Sequence, residues 1–65
     1  MKIHLNGKPV EVQSRTLELL IPERGLHPDA LIVELNSKLI KKENWAETIL
    51  REGDTLELLN FVGGG

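Results

Sequence analysis

A small α+β fold, a mixed β-sheet with one helix packed across one face, is predicted by three features of this 65-residue chain. Two short stretches of alternating polar and apolar residues flank Asn6-Gly7, a dipeptide that favours a tight hairpin turn. The apolar period then changes from two to three or four around Thr16 to Ile21. Beyond Pro28 it returns to strand-like runs rich in branched residues.

Taken in order, Lys2-Ile3-His4-Leu5 and Val10-Glu11-Val12-Gln13 alternate on either side of the turn, so residues 2–13 read as a β-hairpin. Pro9 lacks a backbone donor and belongs near the start of the second strand, on a sheet edge. Leu17, Leu20 and Ile21 share one helical face, with Ser14 or Thr16 available as the N-cap. Pro22 falls beyond the first turn and deletes an i→i−4 hydrogen bond, which predicts a short or distorted helix finished by Gly25. Leu31 to Leu35 forms a strand with Leu31, Val33 and Leu35 facing inward. Asn36-Ser37 turns it into a short edge strand, Lys38-Leu39-Ile40, guarded by Lys41 and Lys42. Trp45, Ile49 and Leu50 sit in a compact turn or single-turn helix between Glu43 and Leu50. Glu52-Gly53-Asp54 is the next turn, and Thr55 to Phe61 the last strand.

The order β-β-α-β-β-β, a hairpin followed by a crossover helix and returning strands, is the β-grasp arrangement. The first and last strands are then parallel neighbours at the sheet centre. Ile3, Leu5, Leu17, Leu20, Val33, Leu35, Leu56 and Leu58 make up the expected core, with Trp45 capping one end. Residues 1–61 form the β-grasp domain and 62–65 a flexible glycine-rich tail. Glycine loses the most backbone entropy on ordering, and a run of it passes through channels too narrow for other residues. Four residues beyond Phe61 reach about 13 Å when extended, enough to carry a terminal carboxylate into another protein's active site. The plainer reading is a frayed terminus or a remnant, since disorder concentrates at chain ends.

Composition narrows the function classes. Without cysteine there is no disulfide, no zinc-thiolate site and no thiol on which a persulfide could form. Ten acidic and eight basic residues give a formal charge of −2, too balanced for a nucleic-acid surface. No apolar run reaches the ~18–20 residues of a membrane span, and the N-terminus is too polar for a signal peptide. A soluble, cytoplasmic domain is expected. His4 and His27 lack ligand spacing, so no metal site is expected. His4 is read as a polar residue on the open sheet face. His27-Pro28-Asp29 matches the tripeptide of Hsp70-activating J-domains, but the two long helices that flank it there are missing; it is read as a loop. Trp45 is read as a core filler with its N–H satisfied. The scattered glutamates show no paired-carboxylate site.

The stretch Asn36…Trp45-Ala46-Glu47-Thr48…Leu50…Gly53-Asp54…Phe61-Val62-Gly63-Gly64-Gly65 closely resembles the ThiS-type sulfur carriers of thiamine (thiazole) biosynthesis, ubiquitin-like β-grasp proteins of this length. The resemblance covers essentially the whole chain, since the Asn6-Gly7 hairpin and the Thr16-Leu17…Leu20 helix start also fit. The tail alone is shared with the molybdopterin-synthase small subunit and with ubiquitin. Many family members carry Pro-Arg where this chain has Lys41-Lys42. That departure touches a loop by the edge strand and leaves the tail intact.

The resemblance implies a carrier, not an enzyme, with no catalytic residue, metal or permanently bound cofactor. An E1-like adenylyltransferase (ThiF-type) uses ATP to activate the Gly65 carboxylate, and sulfur from a cysteine desulfurase relay turns it into a thiocarboxylate. A ThiG-type thiazole synthase then takes the sulfur. Val62, Gly63 and Gly64 are the segment that enters the partner's active site. Docking is expected from the body: Leu56 and Leu58 point inward, so Leu59 and Phe61 stand on the opposite face, joined there by Ile32. Other readings remain: a carrier for molybdopterin, cysteine or tRNA thiolation, a ubiquitin-like modifier, or an interaction domain with an inert tail.

Overall fold

The computed structural model describes residues 1–60. The first strand, β1 (Lys2–Leu5), turns through Asn6-Gly7 into β2 (Lys8–Glu11). Asn6 and Gly7 both have positive φ, 50° and 84°, the two-residue turn whose twist matches paired strands. Pro9 faces no ladder on its far side, because β2 is an edge strand. The hairpin strands stop at Glu11 rather than Gln13. Met1 still extends the pairing, accepting the Val12 N–H at 2.9 Å and donating its ammonium to the Val12 carbonyl at 3.0 Å.

The helix α1 (Leu17–Glu23) begins at Thr16, whose Oγ1 accepts the Leu19 N–H at 3.3 Å. It buries Leu17, Leu20 and Ile21 and contains Pro22. The helix has seven residues, and Pro22 has no N–H to donate to the Glu18 carbonyl one turn back. Gly25, at φ 71°, reverses the chain. Its N–H donates to the Pro22 carbonyl and that of Leu26 to the Ile21 carbonyl, both at 3.0 Å, so two otherwise orphaned helix-end carbonyls are satisfied.

The chain returns through a 3-10 helix, Pro28–Ala30, where the sequence suggested an irregular loop. Asp29 there accepts a hydrogen bond from Lys42 Nζ at 2.7 Å, giving the tripeptide a local structural partner. Strand β3 (Leu31–Leu35) turns at Asn36-Ser37 into the two-residue β4 (Lys38–Leu39). A second 3-10 helix, Lys42–Glu47, carries Trp45, and β5 (Thr55–Asn60) closes the sheet. The sheet order is β2-β1-β5-β3-β4, with β1 and β5 parallel at the centre and all other pairs antiparallel.

Ile3, Val33, Leu56 and Leu58 are buried as the strand alternation predicts, and Leu17 and Leu20 as the helical spacing predicts. Leu5 and Leu35 are only half-buried, because each ends its strand beside a turn. Val12, Ile21, Trp45 and Leu50 complete the core. Trp45 packs with the helix side of the core, and its Nε1–H donates to the Ile40 carbonyl at 3.1 Å. Ile49, its near neighbour in sequence, is exposed.

Candidate docking face and its last strand

Because α1 covers one face of the sheet, every second residue of the strands stands on the other. Leu56 and Leu58 are buried while Glu57 and Leu59 are exposed. On β3, Val33 is buried and Ile32 and Glu34 are exposed. The β3–β5 register sets Ile32 directly opposite Leu59 and Glu34 opposite Glu57. Leu59 is 65 % exposed and Ile32 41 %. The structure thus brings together two of the residues that the sequence assigned to a docking surface. Phe61, the third, lies outside the described residues, as do Val62, Gly63, Gly64 and Gly65.

Leu39 was missed. Its register partner is Glu34, so it stands on the same open face, 61 % exposed. Counting back across the two-residue Asn36-Ser37 turn would have found it. His4 is also exposed, in register with Thr55.

Two asparagines hold β5 from opposite sides. Asn36 donates its backbone N–H to the Thr55 carbonyl at 2.7 Å, accepts the Thr55 N–H on Oδ1 at 2.9 Å and donates Nδ2 to Asp54 at 3.0 Å. Asn6 donates its N–H to the Leu56 carbonyl at 2.9 Å and accepts the Leu58 N–H on Oδ1 at 2.8 Å. Asn6 and Asn36 are left-handed residues, at φ 50° and 51°, a conformation asparagine tolerates better than most. Each turn therefore sets its hairpin and clamps the central strand at once.

Glu23, at the end of α1, accepts the backbone N–H groups of Gln13 and Ser14 at 3.1 and 3.0 Å, and the Ser14 hydroxyl. The hydroxyl contact, then the Gln13 N–H, hold its carboxyl below the usual 4.5. Lys42, through its hydrogen bond and its charge, likewise lowers Asp29. Both are structural contacts away from the open face. Among the described residues no cluster of three or more metal-ligating side chains occurs, and no helix is long and apolar enough to cross a membrane.

A five-stranded mixed sheet in the order β2-β1-β5-β3-β4, with β1 and β5 parallel at its centre and one helix across one face, defines a ubiquitin-like β-grasp protein. The model of the ThiS family matches residues 3–65, and the chain belongs to that family. The sulfur carrier protein ThiS of Bacillus subtilis is 37 % identical over 65 residues, covering 97 % of this chain and 98 % of its own length. A thiazole synthase of Magnetococcus marinus is 38 % identical over 66 residues and covers all of this chain, which spans only 20 % of that larger protein. The crystal structure of the thiamine biosynthesis protein ThiS from Geobacter metallireducens superimposes with a TM-score of 0.77 at 35 % identity, covering both chains in full.

Proposed function

We propose that this protein carries sulfur for thiamine biosynthesis on the carboxylate of Gly65. The observation that carries the reading is the full-length family match, which includes the terminal glycines within residues 3–65. The likeness to the Bacillus subtilis sulfur carrier over nearly the whole of both chains supports it.

A carboxylate is a poor acyl donor until one of its oxygens joins a good leaving group. In the proposed sequence a carboxylate oxygen of Gly65 attacks the α-phosphorus of ATP inside an E1-like adenylyltransferase, and pyrophosphate leaves. The outer sulfur of a persulfide, supplied by a cysteine desulfurase relay, then attacks the acyl carbon and expels AMP. A second thiol cleaves the S–S bond of the acyl disulfide so formed, releasing the thiocarboxylate and leaving a disulfide on the relay. The resulting thiocarboxylate is the sulfur donor for thiazole synthase. Relatives of that name, with a stretch similar to this chain forming one fifth of their length, support the pairing of carrier and synthase.

The carrier contributes position. β5 is fixed between β1 and β3, so a segment leaving its end starts from a defined point, which lowers the entropy cost of reaching a reacting geometry. Ile32, Leu59 and Phe61 form the docking surface in this reading, and Val62, Gly63 and Gly64 cross to the reacting centre.

Intact mass after incubation with ATP, a ThiF-type enzyme and a sulfur source tests the proposal. One terminal oxygen is replaced by sulfur, localised to Gly65 by fragment masses. Gly64→Val or deletion of Gly65 abolishes the change while the fold survives, because a Cβ crowds a path that glycine leaves open. Unimpaired sulfur transfer by the chain lacking Gly65 refutes the carrier reading.

A further inference from the structure

Glu34 and Glu57 face each other across the β3–β5 pair on the open side of the sheet. Like charges directly opposite in an antiparallel pair oppose folding. Among the described residues neither forms an ion pair; the only two pairs there are Met1 with Glu11 and Lys42 with Asp29. Glu34 has Glu57 on one side and exposed Leu39 on the other, so no cation of this sheet row relieves it. The two carboxylates also border a shallow cavity of about 140 Å³ with Asn6, Ile32 and Leu59. An unfavourable charge pair therefore sits within an apolar surface of Ile32, Leu59 and Leu39.

We propose that the open face docks a protein partner that places a basic side chain, Arg or Lys, between Glu34 and Glu57. Apolar groups of that partner cover Ile32 and Leu59. A planar guanidinium suits the position best, since its donors can engage both carboxylates at once. Docking turns the repulsion into attraction: the two charges cost stability in the free chain and are satisfied only in the complex. This rests on the docking reading given above and adds the chemistry of the partner, taken here as the adenylyltransferase that must reach the end of β5.

The test titrates the full chain against a ThiF-type adenylyltransferase by calorimetry at low and high salt. Wild type is compared with Glu57→Gln, the double variant Glu34→Gln/Glu57→Gln, and Leu59→Ala. The double variant has an unchanged or higher thermal midpoint, binds about tenfold more weakly at low salt, and loses most of its salt dependence. Glu57→Gln lies between, and Leu59→Ala weakens binding but keeps the salt dependence. Wild-type affinity and salt dependence in the double variant overturn the cationic contact. If Leu59→Ala also binds as wild type, or wild type does not bind at all, the docking reading falls with it. Sulfur loading at Gly65, read by mass, is scored separately.

Discussion

Asn6 Oδ1 accepts the backbone N–H of Leu58 at 2.8 Å, linking the first turn of the chain to its last strand across 52 residues. β1 pairs with β5 only at His4–Thr55 and Leu5–Leu56. Beyond Leu5 the side chain of Asn6 continues the ladder, supplying the acceptor that a longer strand would have provided.

Substitution separates the two duties of Asn6. Asn6→Gly keeps the left-handed turn and removes the acceptor, leaving the part-buried Leu58 N–H unpaired. The expected loss is about 1–3 kcal/mol. For a domain of this size each kilocalorie lowers the midpoint by roughly 4–8 °C. Asn6→Asp keeps both the acceptor and tolerance of positive φ, and its midpoint stays nearer wild type. Thermal unfolding followed by circular dichroism measures both; equal loss in the two variants contradicts the acceptor role.

Trp45 is expected to be structural. Trp45→Phe removes the donor to the Ile40 carbonyl and part of the core, and Trp45→Ala costs more, about 3–5 kcal/mol. Urea unfolding gives the order wild type, Phe, Ala in falling stability. A Trp45→Phe variant as stable as wild type would show that the hydrogen bond adds nothing.

Glu23 gives the acid limb of stability a specific source. Its carboxyl is held below 4.5 by the Ser14 hydroxyl and the backbone N–H groups of Gln13 and Ser14. A lowered folded-state value means the contribution is full above about pH 4.5 and is lost as pH falls through the folded value. Glu23→Gln should be less stable than wild type at neutral pH and converge with it in acid. Denaturant midpoints against pH read this directly; parallel curves for the two proteins contradict it.

Much of the fold was legible because it depends on near neighbours. Asn6-Gly7 and Asn36-Ser37 supply the left-handed residues of two-residue hairpins, and Gly25 ends α1 with its reversed φ. Leu17, Leu20 and Ile21 recur at helical spacing, and the alternation Leu56-Glu57-Leu58-Leu59 places Leu59 outside. Exposure of Ile32 followed in the same way. The family was legible too, from Trp45-Ala46-Glu47 and the Gly53-Asp54 turn as much as from the final glycines.

Tertiary structure alone decided which distant groups meet. Val12 and Leu50 lie outside the regular elements and are buried, Val12 beside Met1, whose carbonyl accepts its N–H, and Leu50 where its N–H donates to the Arg15 carbonyl. Glu57 meets Glu34 only because β5 lies beside β3. The reach of Asn6 to Leu58 and of Glu23 to Gln13 and Ser14 likewise depends on strand order and helix placement. Turns and periodicity are written in consecutive residues, since they follow from backbone sterics and side-chain direction. Register and side-chain partners between elements arise from closing the whole core at once, and no short stretch of sequence contains them.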